Sequence, residues 1–206
     1  MLLLEQTFDD DVRLAVWQMD ETEEELWSSF HEQKEQYEEE LRSVSNKHRR
    51  LELLTVRLLL LHLIHQEPII EHDKEGRPFL KDCPLKISIS HTNRYVAVIV
   101  SERHDVGIDI EMKKEKIFRV KHKILSPLEV IDVNRTLDSL LLHWCAKETI
   151  FKLSDISLPE FSEDIIVEPF KVNDEGTFQA YETKQNGSFL LHYRVIEDCV
   201  LVYAVR

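Results

Sequence analysis

The sequence predicts an α+β protein on three observations. Two long helical segments, Lys47–Gln66 and Arg119–Leu153, flank a cluster of short β-branched runs between residues 87 and 111. The last third of the chain reads mostly as strand, so helices and strands do not alternate as a βαβ protein requires. Glycine is scarce, four in 206 residues, and none forms a GxGxxG or P-loop, which argues against dinucleotide and Walker-type phosphate binding.

Each element has a local reason. Val12–Met19 is an early strand, because β-branched and aromatic residues recur there. Glu21–Arg42 is predicted as a solvated acidic helix, packed along a narrow stripe of Leu26, Trp27, Phe30, Tyr37 and Leu41. The helix Lys47–Gln66 stops before Pro68, whose ring disfavours helical backbone in the preceding residue. Glu75-Gly76-Arg77-Pro78 is turn chemistry. Strands Ile87–Ser90 and Tyr95–Val100 are joined by His91-Thr92-Asn93-Arg94, and Val106–Glu111 follows. The helical region 119–153 is broken near Ser126-Pro127 and again near Asn134. Strands then cover Ile165–Val167, Thr177–Tyr181, Phe189–Val195 and Cys199–Val205.

Composition bounds the function. The chain is 43% hydrophobic and 32% charged, with a formal net charge of −13. General affinity for nucleic acid is not expected, since nothing offsets phosphate repulsion, although a local basic pocket remains compatible with an anionic ligand. The most apolar stretch, Leu51–Ile64, contains Glu52, Arg57 and His62 and falls short of the ~20 apolar residues of a membrane span. Met1-Leu2-Leu3-Leu4 meets Glu5 at once, so no secretory signal is read. Three scattered cysteines, Cys83, Cys145 and Cys199, form neither a disulfide framework nor a CxxC zinc site. A cytoplasmic protein is expected.

Three segments carry chemistry. In the strand Gly107-Ile108-Asp109-Ile110-Glu111, alternation puts Asp109 and Glu111 on one face and the isoleucines on the other. Two adjacent carboxylates repel unless a cation or proton separates them, so this is either a solvated strand face or a site for a Mg²⁺-like ion. Along Leu137–Phe151 the apolar stripe is Leu137, Leu140, Leu141, Trp144 and Phe151. Lys147 and Glu148 stand where it predicts apolar residues. Either they are paired or liganded, or the helix end emerges into solvent. Lys152 lies one turn beyond Glu148, in the order that favours an ion pair. The third segment, Ser90-His91-Thr92, ends a strand with short polar groups.

In order, Ile87–Thr92 (ISISHT), Gly107–Glu111 (GIDIE) and Trp144–Lys152 (WCAKETIFK) resemble the 4′-phosphopantetheinyl transferase superfamily, whose paired signature is G-[ID]-D-x-E followed by W-x-x-K-E-x-x-x-K. Chain length resembles its monomeric surfactin-type branch. The resemblance implies an α+β fold of two similar subdomains, 1–104 and 105–206, related by a pseudo-twofold, with the active site in the cleft between them. It implies a Mg²⁺-dependent (or Mn²⁺-dependent) enzyme that transfers the 4′-phosphopantetheine of coenzyme A to a serine of an apo acyl or peptidyl carrier protein, releasing 3′,5′-ADP. The alternative is an inactive relative that binds coenzyme A or carrier protein. By position Asp109, Glu111 and Glu148 resemble the metal ligands. Glu148 is the expected general base, with Glu129 as the alternative. Lys147 and Lys152 fall near the pyrophosphate. His91, between Ser90 and Thr92, falls at the 3′-phosphate, with Arg49 or Arg50 as the upstream phosphate contact and Lys74 or Arg77 near the nucleotide. Basic residues usual before the arginine helix are replaced here by an acidic run, Glu32–Glu40. The basic run 113–123 is the candidate landing patch for an acidic carrier. Partners are thus coenzyme A and a carrier protein, with no nucleic acid, no membrane and a monomeric chain.

Overall fold

Strands rich in Val, Ile and Tyr pair antiparallel throughout the molecule, and one long helix in each half buries its apolar side on them. The computed structural model describes residues 1–8, 11–154 and 159–206, so Asp9 and Asp10 lie outside the described residues. The fold is α+β, with two units, Met1–His104 and Asp105–Arg206.

The first unit runs β1 (Leu2–Phe8), β2 (Val12–Gln18), α1 (Glu23–Trp27), α2 (Lys34–Leu41), α3 (Lys47–Ile64), β3 (Ile70–His72), β4 (Pro78–Leu80), β5 (Lys86–His91) and β6 (Tyr95–Ser101). Its main sheet has the order β1-β2-β6-β5, every pair antiparallel. The central strand β6 is buried along its whole length, which its unbroken YVAVIV composition requires. From α3, Val56, Leu59, Leu60 and Leu63 pack with Ala15, Val96 and Val98. His65 ends the helix in a left-handed conformation, φ 58°. Strands β1, β3 and β4 are additions to the sequence reading.

The predicted single helix over Glu21–Arg42 is two short helices instead. Thr22 opens the first through a capping box with Glu25. Between them the Glu67 carboxylate accepts the backbone N–H groups of His31 (2.5 Å), Glu32 (3.1 Å) and Gln33 (2.7 Å). A carboxylate more than thirty residues away thus supplies the hydrogen bonds that a continuous helix would have made internally.

The second unit runs β7 (Val106–Met112), α4 (Ile117–Ile124), a 3₁₀ turn (Val133–Arg135), α5 (Thr136–Leu153), α6 (Phe161–Asp164), β8 (Ile165–Val167), β9 (Glu175–Glu182), β10 (Gly187–Ile196) and β11 (Cys199–Val205). The sheet order is β7-β11-β10-β9-β8, again antiparallel. Helix α5 lies on β7 and β11, and its Leu140, Leu142, Ala146 and Ile150 join Phe178, Leu191, Val200 and Val202 in the core. Among the described residues no helix is long and apolar enough to cross a membrane.

Helix α5 is buried on more sides than its apolar stripe predicts. Ten of its residues from Ser139 to Ile150 are buried, and the partly open line is Trp144, Glu148, Phe151 and Lys152. The expected pair of misplaced charges therefore separates. Lys147 is fully buried, whereas Glu148 sits on the half-open side.

Candidate active site

Close approach of α5 to β7 starts with a missing side chain. A Cβ on Gly107 would lie 2.7 Å from the Thr149 carbonyl oxygen and 2.8 Å from Leu153 Cγ. Strand alternation puts Asp109 and Glu111 on the same face as Gly107, the one that meets α5. The helix then grips this face from both ends of one stripe. Trp144 Nε1 donates to Glu111 Oε1 at 3.0 Å. Two turns on, Lys152 Nζ donates to Asp109 Oδ1 at 2.9 Å and to the Ile108 carbonyl at 2.7 Å. Glu148 lies midway between Trp144 and Lys152 at helical spacing, so the three carboxylates occupy one electrostatic neighbourhood.

Their charges register it. Burial raises the Glu111 carboxyl above its ordinary range, and the Asp109 charge adds to this. Glu148 is pushed up to about 7, first by burial, then by Asp109 and Glu111, with Lys152 opposing. Three carboxylates crowd a poorly hydrated place, with the Lys152 ammonium in direct contact and Lys116 and Lys114 lowering the Glu111 carboxyl from farther off. Cys145, fully buried beside them, hydrogen-bonds to Asp109, and burial holds its thiol well above the usual range.

The donor chemistry, all carboxylate oxygen, suits a hard divalent cation. A finished cage is not present: among the described residues, no three His, Cys, Asp or Glu side chains are set to hold an ion. Asp109 engages Lys152 and Glu111 engages Trp144 instead. The predicted Glu148–Lys152 pairing along the helix gives way to this cross-link onto β7.

Two expected site residues go elsewhere. Lys147 Nζ is enclosed by Glu129 Oε2 (2.8 Å) and the carbonyls of Phe161 (2.7 Å) and Ile165 (2.6 Å). Both side chains of the Lys147–Glu129 pair are 0% exposed. Burial pulls the ammonium down, and Glu129 partly offsets this. Glu129 also accepts the backbone N–H of Ser126 (2.6 Å) and Val167 (2.8 Å). This pair ties α5 to the loop after α4 and, through Ile165 and Val167, to β8; fully buried, it presents no open face and stands apart from the carboxylates of β7.

In the first unit the adjacent arginines take different partners. Arg50 binds the Glu23 carboxylate and donates to the Leu41 carbonyl at 2.7 Å, fixing α3 to α1 and the end of α2. Arg49 instead reaches His91, with Nη1 2.8 Å from Nε2, and Glu52 at 2.8 Å. Ser90 is buried in β5. Thr92 Oγ1 accepts the N–H groups of Arg94 (3.1 Å) and Tyr95 (3.0 Å), building the β5–β6 turn. Lys74 is exposed in the β3–β4 turn, where Gly76 has φ +83° and Asp73 accepts the Arg77 N–H at 2.8 Å. Sequence reasoning missed Trp144 as a partner of Glu111, treating it as core, and missed Glu52 beneath Arg49 and His91.

Fold and carboxylate face together define the second unit. Residues 105–204, within the second unit, match the model of the ACPS family, the 4′-phosphopantetheinyl transferase superfamily. Two relatives extend the likeness. A Haemophilus influenzae protein provisionally named a 4′-phosphopantetheinyl transferase is 31% identical over 101 residues, covering 45% of this chain and 43% of its own. The 4′-phosphopantetheinyl transferase AcpT of Escherichia coli K12 is 26% identical over 114 residues, covering 50% of this chain and 57% of its own. The matched part thus spans about half the length of these relatives.

Proposed function

We propose that the protein transfers the 4′-phosphopantetheine group of coenzyme A to a serine of an apo acyl or peptidyl carrier protein, releasing 3′,5′-ADP. The observation that carries this reading is the crowded face of Asp109, Glu111 and Glu148, with Lys152 in direct contact, in a unit that matches this superfamily's model. Mg²⁺ or Mn²⁺, held by these three carboxylates, would supply neutralising charge for the pyrophosphate.

The chain's own residues then have distinct tasks. Glu148 is assigned to accept the serine proton, directly or through a water. Lys152 offsets negative charge growing on the departing phosphate. Arg49 and His91 are assigned to the nucleotide's phosphate. The carrier is assigned to α4, whose basic run ends in Lys121, His122 and Lys123 and exposes Phe118 and Val120. An acidic partner helix with an apolar stripe complements that surface. We further read the chain as a monomer of the surfactin-type branch, which sedimentation checks directly.

The deciding experiment is incubation with apo carrier protein, coenzyme A and Mg²⁺, followed by intact-mass analysis. A phosphopantetheine increment on the carrier is expected; no increment on several carriers would overturn the reading. Glu148→Gln should lower the rate by about 10²–10⁴-fold while remaining folded. A near wild-type rate in that variant removes Glu148 as the base. Lys121→Glu with Lys123→Glu should raise KM for the carrier about tenfold without changing coenzyme A affinity.

A further inference from the structure

On the buried side of α5 one titratable group takes no part in the carboxylate face. His143 is 0% exposed. Its ring lies nearly parallel to that of Phe170, with centroids 5.6 Å apart, and Phe170 stacks in turn on Phe178 at 4.2 Å. Nδ1 sits 2.7 Å from the Ser139 carbonyl oxygen, one turn back along the helix. A carbonyl only accepts, so Nδ1 carries the ring proton and Nε2 is the bare nitrogen. Among the described residues Nε2 has no hydrogen-bond partner.

The surroundings decide what a second proton, on Nε2, would meet. On α5 itself the Lys147 ammonium, one turn further on, opposes an imidazolium. From the loop after α4 the Glu129 carboxylate favours one. Glu129 is already shared among Lys147 Nζ and the N–H groups of Ser126 and Val167. Past Phe170, the Tyr193 hydroxyl is engaged by the Asn173 N–H at 3.0 Å. The Asp132 carboxylate before α5 is held by the N–H groups of Asn134 and Val172. Burial therefore prevails and holds the imidazole below its ordinary range, with the Ser139 carbonyl and Glu129 opposing and Lys147 adding to the effect.

We infer that His143 is an acid trigger built into the second unit: a proton taken from solvent by Nε2 creates an imidazolium that competes with Lys147 for Glu129. The competition releases the clasp between α5, the loop after α4 and β8. Linkage fixes the sign. The folded chain takes this proton less readily than the unfolded chain, so the neutral ring contributes stability that is complete above the ordinary value of 6.5 and is lost as pH falls below it. Glu148 runs the opposite way over this range, because its raised carboxyl favours the folded state as it takes up a proton. The trigger needs neither metal nor coenzyme A.

The test is denaturant unfolding of the full chain at pH 7.5 and pH 5.5, wild type against His143→Gln. Glu148 titrates in both chains and drops out of the difference. Relative to the variant, the wild-type unfolding constant should rise about tenfold between the two pH values, the effect of one proton. An equal pH dependence in the two chains overturns the inference. Hydrogen exchange reads the clasp itself, through the Ser126 and Val167 amides that donate to Glu129. Their protection should fall about tenfold more in wild type than in the variant on acidification, and an equal fall overturns the release of Glu129. Should His143→Gln not fold, the ring nitrogen shifts of the wild type decide. His143 must keep the Nδ1–H form in the folded protein at pH 5.5, and a ring that titrates near 6.5 with both amides still protected overturns the trigger.

Discussion

The long helices of the two units, α3 and α5, are each eighteen residues, and both carry charge inward, but they balance it differently. In α3 every inward charge described above has an opposite partner. Arg50 meets Glu23 and Glu52 meets Arg49. The Arg57 side chain, 6% exposed, pairs with Glu40 and lies 4.8 Å over the Tyr37 ring. In α5 the balance holds on one side only. Lys147 is matched by Glu129, while one residue later Glu148 joins two further carboxylates, with Lys152 in direct contact and Lys116 and Lys114 farther off. A buried charge that is fully matched belongs to the architecture; an excess of one sign on an open face requires something from outside.

The largest expected effect tests the matched side. Lys147→Ala leaves Glu129 buried without its ammonium and should cost about 3–5 kcal/mol in denaturant unfolding. A loss below about 1 kcal/mol would mean the pair is not what ties α5 to the loop after α4. The next effect tests how the unmatched side is assembled. Gly107→Ala forces a methyl against the Thr149 carbonyl and Leu153 and should cost about 1–3 kcal/mol. Because the methyl pushes α5 off β7, it should also lower the transfer rate more than stability alone explains.

Much of this contrast was legible in the sequence, and the rest was not for physical reasons. Alternation along β7 gave Asp109 and Glu111 a common face, and the motif order pointed to Glu148. The apolar stripe on α5 misjudged which charge was buried, because a helix covered on most sides has no single core-facing line. Periodicity thus treated Lys147 and Glu148 as a pair, where packing makes one structural and leaves the other half open. The break in the acidic helix depends on Glu67, and the choice of Arg49 over Arg50 depends on Glu23 and His91. Both are long-range partnerships that no local pattern encodes.

Glu148 allows the two sides of α5 to be contrasted by sign. Its carboxyl is raised from 4.5 to about 7 in the folded protein. The native state therefore holds this proton more tightly than the unfolded chain, and the carboxyl costs stability as pH rises from near 4.5 through about 7. Glu148→Gln removes that cost. The variant should be more stable than wild type by roughly 1–2 kcal/mol at pH 8 and nearly equal to it at pH 4. Lys147→Ala and Glu148→Gln thus shift stability in opposite directions from adjacent positions. A destabilised Glu148→Gln at pH 8 would mean the carboxylate face is not overcharged.

The smallest effect separates the two arginines on α3. Arg50 and Glu23 are about one quarter exposed, at 24% and 26%, so solvent weakens their attraction and Arg50→Ala should cost only about 1 kcal/mol. Its coenzyme A affinity should stay unchanged, since Arg50 is committed to Glu23 and Leu41. Arg49→Ala should weaken coenzyme A about tenfold, and because Arg49 is 46% exposed its loss should cost stability no more than Arg50→Ala does. Calorimetry and denaturant unfolding on the two variants check both halves. If Arg50→Ala weakens coenzyme A as much as Arg49→Ala does, full charge matching no longer identifies a structural residue, and the contrast between the helices fails on the side where it is simplest.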